Sequence, residues 1–392
     1  MPFTILTLNE ISPAGLARLP ADRYTVDRSA THPDAILVRS ADMTTMDIPE
    51  SVLAVGRAGV GVNNIPVAAL SRRGVPVFYA PGANANAVKE LVIAGMLMSA
   101  RRILPAWEFV RGLDASSPSL AEEVETAKKR FVGFELPGKT LGVVGLGAVG
   151  VEVANAALAL GMRVIGFDPA ISVTRAWQLS AGVQQAASLN TLCADADVVT
   201  LHVPLMESTK GMVDERLLAW MRRGAVLLNF AREGIVDESA VAAALDRGDL
   251  QAYVTDFPTG ALKDHSGVIA LPHLGASTAE AEENSAAMVA DSLRAYLEEG
   301  VVRHSVNFPD ANLPFGGGVR MVVANSNVPG MVSQISQEVA NAGLNIREML
   351  NASRGDLAYT IVDVDGPFGE GVFAGVCSIE GVLTARVLTP GG

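Results

Sequence analysis

Short apolar runs separated by segments of helical periodicity open the chain: residues 4–8, 35–38, 53–55 and 75–79 each read as a buried strand. Continuous rather than alternating hydrophobicity implies strands covered on both faces, as in a parallel sheet with helical crossovers. From residue 138 to about 272 the rhythm strengthens. Runs at 140–144, 163–167, 198–202, 225–230, 252–255 and 268–270 alternate with helical stretches and predict a doubly wound sheet. Then the pattern breaks, because Pro309, Pro314 and the run Gly316, Gly317, Gly318 can continue neither helix nor strand. Beyond them a strand at 320–324, a helix at 331–342 and two more strands, the second at 359–364, predict a small α+β unit.

The 392 residues suffice for roughly two to three domains, and 49% hydrophobic with 18% charged residues fits packed cores rather than disorder. A formal charge of −12 gives the chain no overall attraction to nucleic acid or anionic lipid. Two cysteines, Cys193 and Cys377, cannot make a disulfide framework and lack metal-ligand spacing, so no metal is expected. The start, residues 1–9, has no basic leader region and reads as a first strand. The most apolar run, 91–98, falls far short of the ~20 residues of a membrane span. The expectation is a soluble cytoplasmic protein without membrane or nucleic-acid partners.

The sharpest chemical signal is Gly145-Leu146-Gly147-Ala148-Val149-Gly150. With 38 glycines in the chain a G-x-G-x-x-G can arise by chance, but this one follows an apolar strand and opens a helical run closed by Gly161. Gly145 permits the tight turn, Gly147 lets the backbone approach a pyrophosphate, and Gly150 lets helix pack on strand. The helix N-terminus adds free N–H groups and a partial positive charge. Asp168 ends the next strand, where a carboxylate accepts ribose hydroxyls and repels a 2′-phosphate. Pro169, Ala170 and Ile171 follow it rather than an arginine, which favours NAD over NADP.

Histidine is the usual base for proton transfer at neutral pH, and the chain has five. His273 lies just past the strand at 268–270, on the crevice side of such a sheet; on position alone it is a catalytic base or a structural histidine. His202 also ends a strand, but Pro204 beside it points to packing or a turn. Arg232, past the strand at 225–230, could grip a carboxylate with two parallel hydrogen bonds, or pair with Glu233 or Asp237. Arg39 with Ser40, Arg57, and the run Lys128, Lys129, Arg130 could draw in an anionic substrate, although that run also suits a solvated helix face.

Together these residues resemble the D-2-hydroxyacid dehydrogenase family. The blocks that carry the resemblance are Val38-Arg39-Ser40, residues 56–61, the turn Gly145 to Gly150, residues 201–205, 229–237 and 272–278. Within the family the chain is similar to the branch that oxidises 3-phosphoglycerate at the entry to L-serine synthesis. The resemblance implies a discontinuous, flavodoxin-like substrate domain of residues 1–88 and 280–310, an inserted Rossmann NAD domain of 89–279, and a site in the cleft. It also implies roles. His273 would take the hydroxyl proton and Arg232 would hold the carboxylate and polarise the developing carbonyl. Arg39, Ser40, Arg57, Asn84, and Lys128 or Arg130 would bind the substrate's anions. Gly145, Gly147, Ala148, Val149, Gly150, Asp168, Val203, Phe230, Ala231, Arg232, Asp256, His273, Gly275 and Ala276 would contact NAD.

One departure stands out. The family pairs its histidine with a glutamate whose place here falls at Gly260 or Ala261. Asp264, or less readily Asp256, is the available substitute, and a weakened or altered acid–base pair is expected.

After a linker at 311–318, residues 319–392 resemble an ACT domain, a small amino-acid-sensing module, through Asn325, Asn327, Val328-Pro329-Gly330 and Asn345. The resemblance implies L-serine as effector at Asn325, Asn327 and Asn345, feedback inhibition, and a homodimer or homotetramer. Two alternatives remain open. One is a dehydrogenase of glycerate, glyoxylate or 2-hydroxyglutarate. The other is a catalytically weak NAD-sensing protein.

Overall fold

The computed structural model describes residues 2–389. Met1 of the predicted first strand and the last three residues of the 319–392 unit lie outside them. The chain forms two compact units, Met1–Ala83 with Ala279–Gly392, and Asn84–Thr278.

The first unit is built on a parallel five-stranded sheet. Its spatial order is Tyr24–Asp27, Phe3–Leu8, Ala35–Val38, Ala54–Arg57, Val77–Phe78, the flavodoxin-like arrangement that the family resemblance implies. The strand Ala35–Val38 is buried throughout because both faces of the sheet are covered. Tyr24–Asp27 escapes a hydropathy reading since it is an edge strand with two exposed residues. The chain leaves this unit and returns as the long helix Ala279–Glu299, whose Ala286, Val289, Ala290 and Leu293 enter the same core as Ile5, Leu37 and Ala54.

Residues 319–389 add an antiparallel sheet in the order Ile346–Arg354, Leu357–Val364, Val319–Ser326, Val382–Leu388, with helices Met331–Asn341 and Glu370–Ser378. This split β-α-β arrangement fits the ACT-like expectation. Side chains alternate across a strand, and here both faces are apolar. Met321, Val323, Val362 and Val364 face Ile335, Val339, Val372 and Val376 of the two helices. Val322, Ala324, Tyr359 and Ile361 join the core that holds Phe78, Tyr296 and Phe308.

The stretch predicted as a linker therefore does not hold two parts away from each other. Ala311 pairs with Val302, and a Cβ added to Gly300 would lie 2.4 Å from Val322 Cγ1. Arg320, 0% exposed, fixes the junction. Its Nε and Nη2 donate to both oxygens of Asp363 at 2.6 and 2.7 Å, and its remaining N–H groups reach the carbonyls of Glu299, Leu313 and Pro314. The Phe315 ring lies 4.5 Å from the guanidinium carbon.

The second unit is a parallel seven-stranded sheet. Its order is Val268–Ala270, Leu250–Thr255, Ala225–Asn229, Val198–Leu201, Thr140–Val144, Arg163–Phe167, Val183–Gln185. It is a Rossmann sheet with one more strand than the six predicted. Val183–Gln185 was hidden because it is three residues long, at the edge, and mostly exposed. No helix among the described residues is long and apolar enough to cross a membrane.

Removing one member of a buried ion pair leaves an uncompensated charge. Asp363→Ala should cost ~3–5 kcal/mol in urea unfolding, and adding Arg320→Leu should recover part of that loss.

Candidate functional site

In the second unit the strand Thr140–Val144 ends in the glycine turn, and the helix Ala148–Ala159 begins at Gly147. Gly145 has φ +90°, and a Cβ there would lie 2.7 Å from the His202 carbonyl oxygen and 2.9 Å from Val203 Cγ1. A Cβ on Gly150 would lie 1.9 Å from Gly145 O. Gly147 is different: a Cβ there would meet nothing within 4 Å. The space a pyrophosphate needs is therefore open at Gly147 and filled by protein at the other two. The helix makes its first bond from Val151 N–H to Gly147 O, so the N–H groups of Ala148, Val149 and Gly150 sit at its unpaired end. Asp168 follows the next strand and accepts from Leu146 N–H at 2.8 Å and Ala170 N–H at 2.9 Å, which fixes its carboxylate beside the turn.

His202 is bonded within its own strand end. Its Nε2 lies 2.9 Å from Thr200 Oγ1, and burial pushes its pKa down to about 3.

Two buried polar side chains build the turns after the strands Ala225–Asn229 and Leu250–Thr255. Asn229, 1% exposed, accepts from Ala231 N–H and donates to Arg232 O. Phe230 and Ala231 are buried, while Arg232 is exposed. Arg232 Nη1 donates to Ala231 O, and the acids considered as its partners are not bonded to it among the described residues. Asp237 instead caps the helix Glu238–Asp246, and the Ser239 hydroxyl with the first N–H groups holds its carboxyl below the usual range.

Asp256, also 1% exposed, accepts from Leu274 N–H and Gly275 N–H at 2.7 Å each, and its carbonyl accepts from His273 N–H. Asp256 N–H in turn donates to Asn229 O at 3.1 Å, so the Arg232 and His273 turns are stitched together. His273 is held at φ +55°, a strained conformation for a residue other than glycine. Its ring is exposed and lies 5.0 Å from the Phe257 ring, tilted at 60° to it. Among the described residues no carboxylate is hydrogen-bonded to that ring. Asp256 is committed to backbone, and Asp264 is 83% exposed and pairs with Lys263. Ala276, beside Gly275, is exposed.

In the first unit Arg39 pairs with Glu282, and Asn9 accepts from Ser40 and Ala41 N–H to shape the loop. Arg57 folds back over Gly59, where a Cβ would lie 1.8 Å from its Nη1. The Arg57 Nε is buried without a partner. Burial, and to a lesser degree the Arg39 charge, holds Arg57 below the usual arginine pKa.

The remaining predicted residues fare unequally. Asn84 heads the helix Ala85–Ala100 with no side-chain capping bond, leaving its amide free of that role. Lys128 is exposed and pairs with Glu125, and the Arg130 guanidinium lies 5.3 Å over the Phe109 ring. Among the described residues no hydrogen bond or ion pair joins either to the Arg232 or His273 turn. In the small antiparallel sheet, Asn325 and Asn327 line a cavity of about 410 Å³ with Met331, Ser333 and Asn351. Asn345 is not among its lining residues and bonds through its N–H to Asp365. Asn351 and Thr360 were missed: Asn351 Nδ2 donates to Thr360 Oγ1, which donates to Asn325 Oδ1. A buried polar residue inside the apolar strand Leu357–Val364 was the available signal.

Comparison with known proteins bears on these features. Residues 93–275 match the family described as D-isomer specific 2-hydroxyacid dehydrogenase, NAD binding domain. The D-3-phosphoglycerate dehydrogenase of Haemophilus influenzae is 33% identical over 374 residues, 92% of this chain and 85% of that protein. The chain belongs to the D-isomer specific 2-hydroxyacid dehydrogenase family. NAD is the cofactor of that domain, and the open space at Gly147 fits it. The D-3-phosphoglycerate dehydrogenase of Methanocaldococcus jannaschii is 35% identical over 342 residues, 84% of this chain, but the chain spans 62% of its length. The solved 3-phosphoglycerate dehydrogenase of Entamoeba histolytica with bound NAD+ shares the fold at a TM-score of 0.59. It is 24% identical, and the match covers 78% of this chain and 99% of that one.

Gly147→Val should abolish NADH binding, followed by nucleotide fluorescence, while changing stability by less than ~1 kcal/mol. His202 predicts a pH signature of its own. Its folded pKa lies below the unfolded value of ~6.5, so its contribution is intact above that pH and is lost progressively as pH falls toward 3. Urea unfolding should show ~2 kcal/mol lost between pH 7.5 and 5, a slope that His202→Gln should flatten.

Proposed function

We propose that the protein is an NAD-dependent dehydrogenase that interconverts D-3-phosphoglycerate and 3-phosphohydroxypyruvate, in the direction that feeds L-serine synthesis. The observation that carries the reading is the stitched pair of turns: Asp256 N–H donates to Asn229 O and so joins the turn that bears the exposed Arg232 to the turn that bears the exposed His273, at the carboxyl ends of the strands. Arg232 binds the substrate carboxylate and polarises the carbon–oxygen bond as it gains carbonyl character. His273 accepts the hydroxyl proton on a ring nitrogen and returns it in the reverse direction. NAD, when bound, supplies the hydride acceptor. Arg39 and Arg57 are assigned to the substrate's anions, with Ser40 and Asn84 as neutral hydrogen-bonding groups. Lys128 and Arg130 have the weaker claim, given their pairing with Glu125 and Phe109.

The reading extends to regulation and assembly. L-serine is the proposed effector of the cavity at Asn325, Asn327 and Asn351, where amide side chains can serve both ends of a zwitterion. Two or four copies form the proposed assembly. Its support is the helix Ile103–Arg111, which leaves Ile103, Trp107 and Val110 about half exposed.

A second reading has one observation in its favour. Gly260 and Ala261 stand where the family's glutamate is expected, and among the described residues no carboxylate is hydrogen-bonded to the His273 ring. An NAD-binding protein of weak activity would look like this.

NADH consumption with 3-phosphohydroxypyruvate, with and without L-serine, tests both readings. Turnover depressed by serine supports the dehydrogenase; tight NADH binding without turnover on any 2-oxo acid supports the second. His273→Ala should lower kcat ~10²–10⁴-fold, whereas Asp264→Ala should leave the pH–rate profile unchanged. Light scattering on a sizing column reads the assembly, and a monomer would remove that part of the proposal.

A further inference from the structure

The cavity of the antiparallel sheet and the Arg57 strand belong to one unit, and a continuous set of hydrogen bonds connects them. Asn327 lines the cavity and holds the hairpin that joins the strands Ile346–Arg354 and Leu357–Val364. Its N–H donates to Asp356 O at 2.8 Å, and its Nδ2 donates to Gly355 O at 3.0 Å. At the base of that hairpin Arg354 Nη1 donates to Ser305 O at 2.7 Å and Val306 O at 3.3 Å. Residues 304–307 in turn lie along the edge of the five-stranded sheet. Ser305 bridges Phe78, Tyr79 N–H donates to His304 O, Val306 N–H to Val77 O, and Val77 N–H to Asn307 Oδ1. The strand Val77–Phe78 pairs with Ala54–Arg57. Just beyond it, Ala80 N–H donates to Gly59 O, and Gly59 is the residue under the Arg57 guanidinium.

The parts differ in firmness. The sheet itself is docked by the buried Arg320–Asp363 pair, by Tyr359 Oη donating to Gly300 O, and by Arg386 over the Tyr296 ring at 4.2 Å. The hairpin residues 353–356 are exposed, and Gly355 sits at φ +56°. That tip is the soft member of the set, since exposed hydrogen bonds with little apolar burial open most readily.

We propose that Arg354 is a positioning residue that couples occupancy of the Asn325–Asn327–Asn351 cavity to the Arg57 strand within a single chain. A ligand carboxylate in the cavity takes the Asn327 Nδ2–H from Gly355 O and loosens the hairpin. Arg354 then releases residues 304–307, and the edge that supports Gly59 and Arg57 relaxes. Occupancy therefore weakens binding of the anionic substrate without reaching the nucleotide turn. L-serine as the occupant rests on the function proposed above; the hydrogen-bonded link does not.

The test is hydrogen exchange by mass spectrometry on the full-length protein, comparing wild type with Arg354→Met and Arg354→Lys. Without any ligand, Arg354→Met should speed exchange of peptides covering 304–307 and 77–80 by ~3–10-fold, the range expected for mutations along a coupling route. Arg354→Lys, which keeps a donor, should restore most of the protection, and peptides of the Asn84–Thr278 unit should not change. L-serine should produce the same acceleration in wild type and add nothing to Arg354→Met. In turnover assays Arg354→Met should raise KM for 3-phosphohydroxypyruvate by a similar factor, with kcat and NADH affinity held within about twofold. Unchanged exchange at 77–80 in Arg354→Met overturns the proposal, as does acceleration spread over both units or protection of 77–80 by serine. A wild type that binds no serine refutes the effector but not the link, because the ligand-free comparison still decides it.

Discussion

A guanidinium buried to 0% exposure must have all its donors satisfied, and Arg320 meets that demand by gathering three separated pieces of chain. Its partners are the carbonyl at the end of the helix Ala279–Glu299, two carbonyls in 313–314, and the carboxylate of Asp363. Those contacts determine where the antiparallel sheet lies on the first unit. The remaining contacts follow: Tyr359 reaches Gly300, Arg354 reaches Ser305, and Val322 fills the space that Gly300 leaves. A module that might have swung on a flexible tether is instead the second cover of a shared core.

The second unit shows the same economy at its strand ends. Asn229 and Asp256 are buried polar side chains that hydrogen-bond to the backbone of the turns they head. Committed in this way, they free the exposed groups next to them, Arg232 and His273, to face solvent or substrate. The left-handed conformation of His273 costs ~1–3 kcal/mol and persists because Asp256 holds the turn on both sides.

Much of this is legible in the sequence. Continuous apolar runs located both parallel sheets, and the glycine turn located the end of the strand Thr140–Val144 because each glycine answers a different spatial need. Edge strands were not legible: Tyr24–Asp27 and Val183–Gln185 lack the buried pattern that a hydropathy reading seeks. The final helix and strand were also missed, and the run of proline and glycine after residue 308 reads only as a linker, with no sign that the sheet beyond it packs on the first unit's core. Such composition records what the backbone cannot do and is silent on what Arg320 does across it. Among candidate site residues, those at strand ends were placed by topology. Asp264 was favoured by proximity in sequence to the vacant glutamate position, yet its carboxylate turns to Lys263.

The discontinuity of the first unit also has a temporal side. During synthesis the strands of residues 2–83 emerge long before the helix Ala279–Glu299 that covers them. Residues 84–278 form a complete, locally connected sheet and can close while the ribosome is still at work. The early strands must meanwhile remain apolar and uncovered for about two hundred residues of elongation, at ~5–20 residues per second. Parallel pairing of distant segments is slow in any case. This interval is the vulnerable stage in the life of the chain, when a chaperone would have the most to hold.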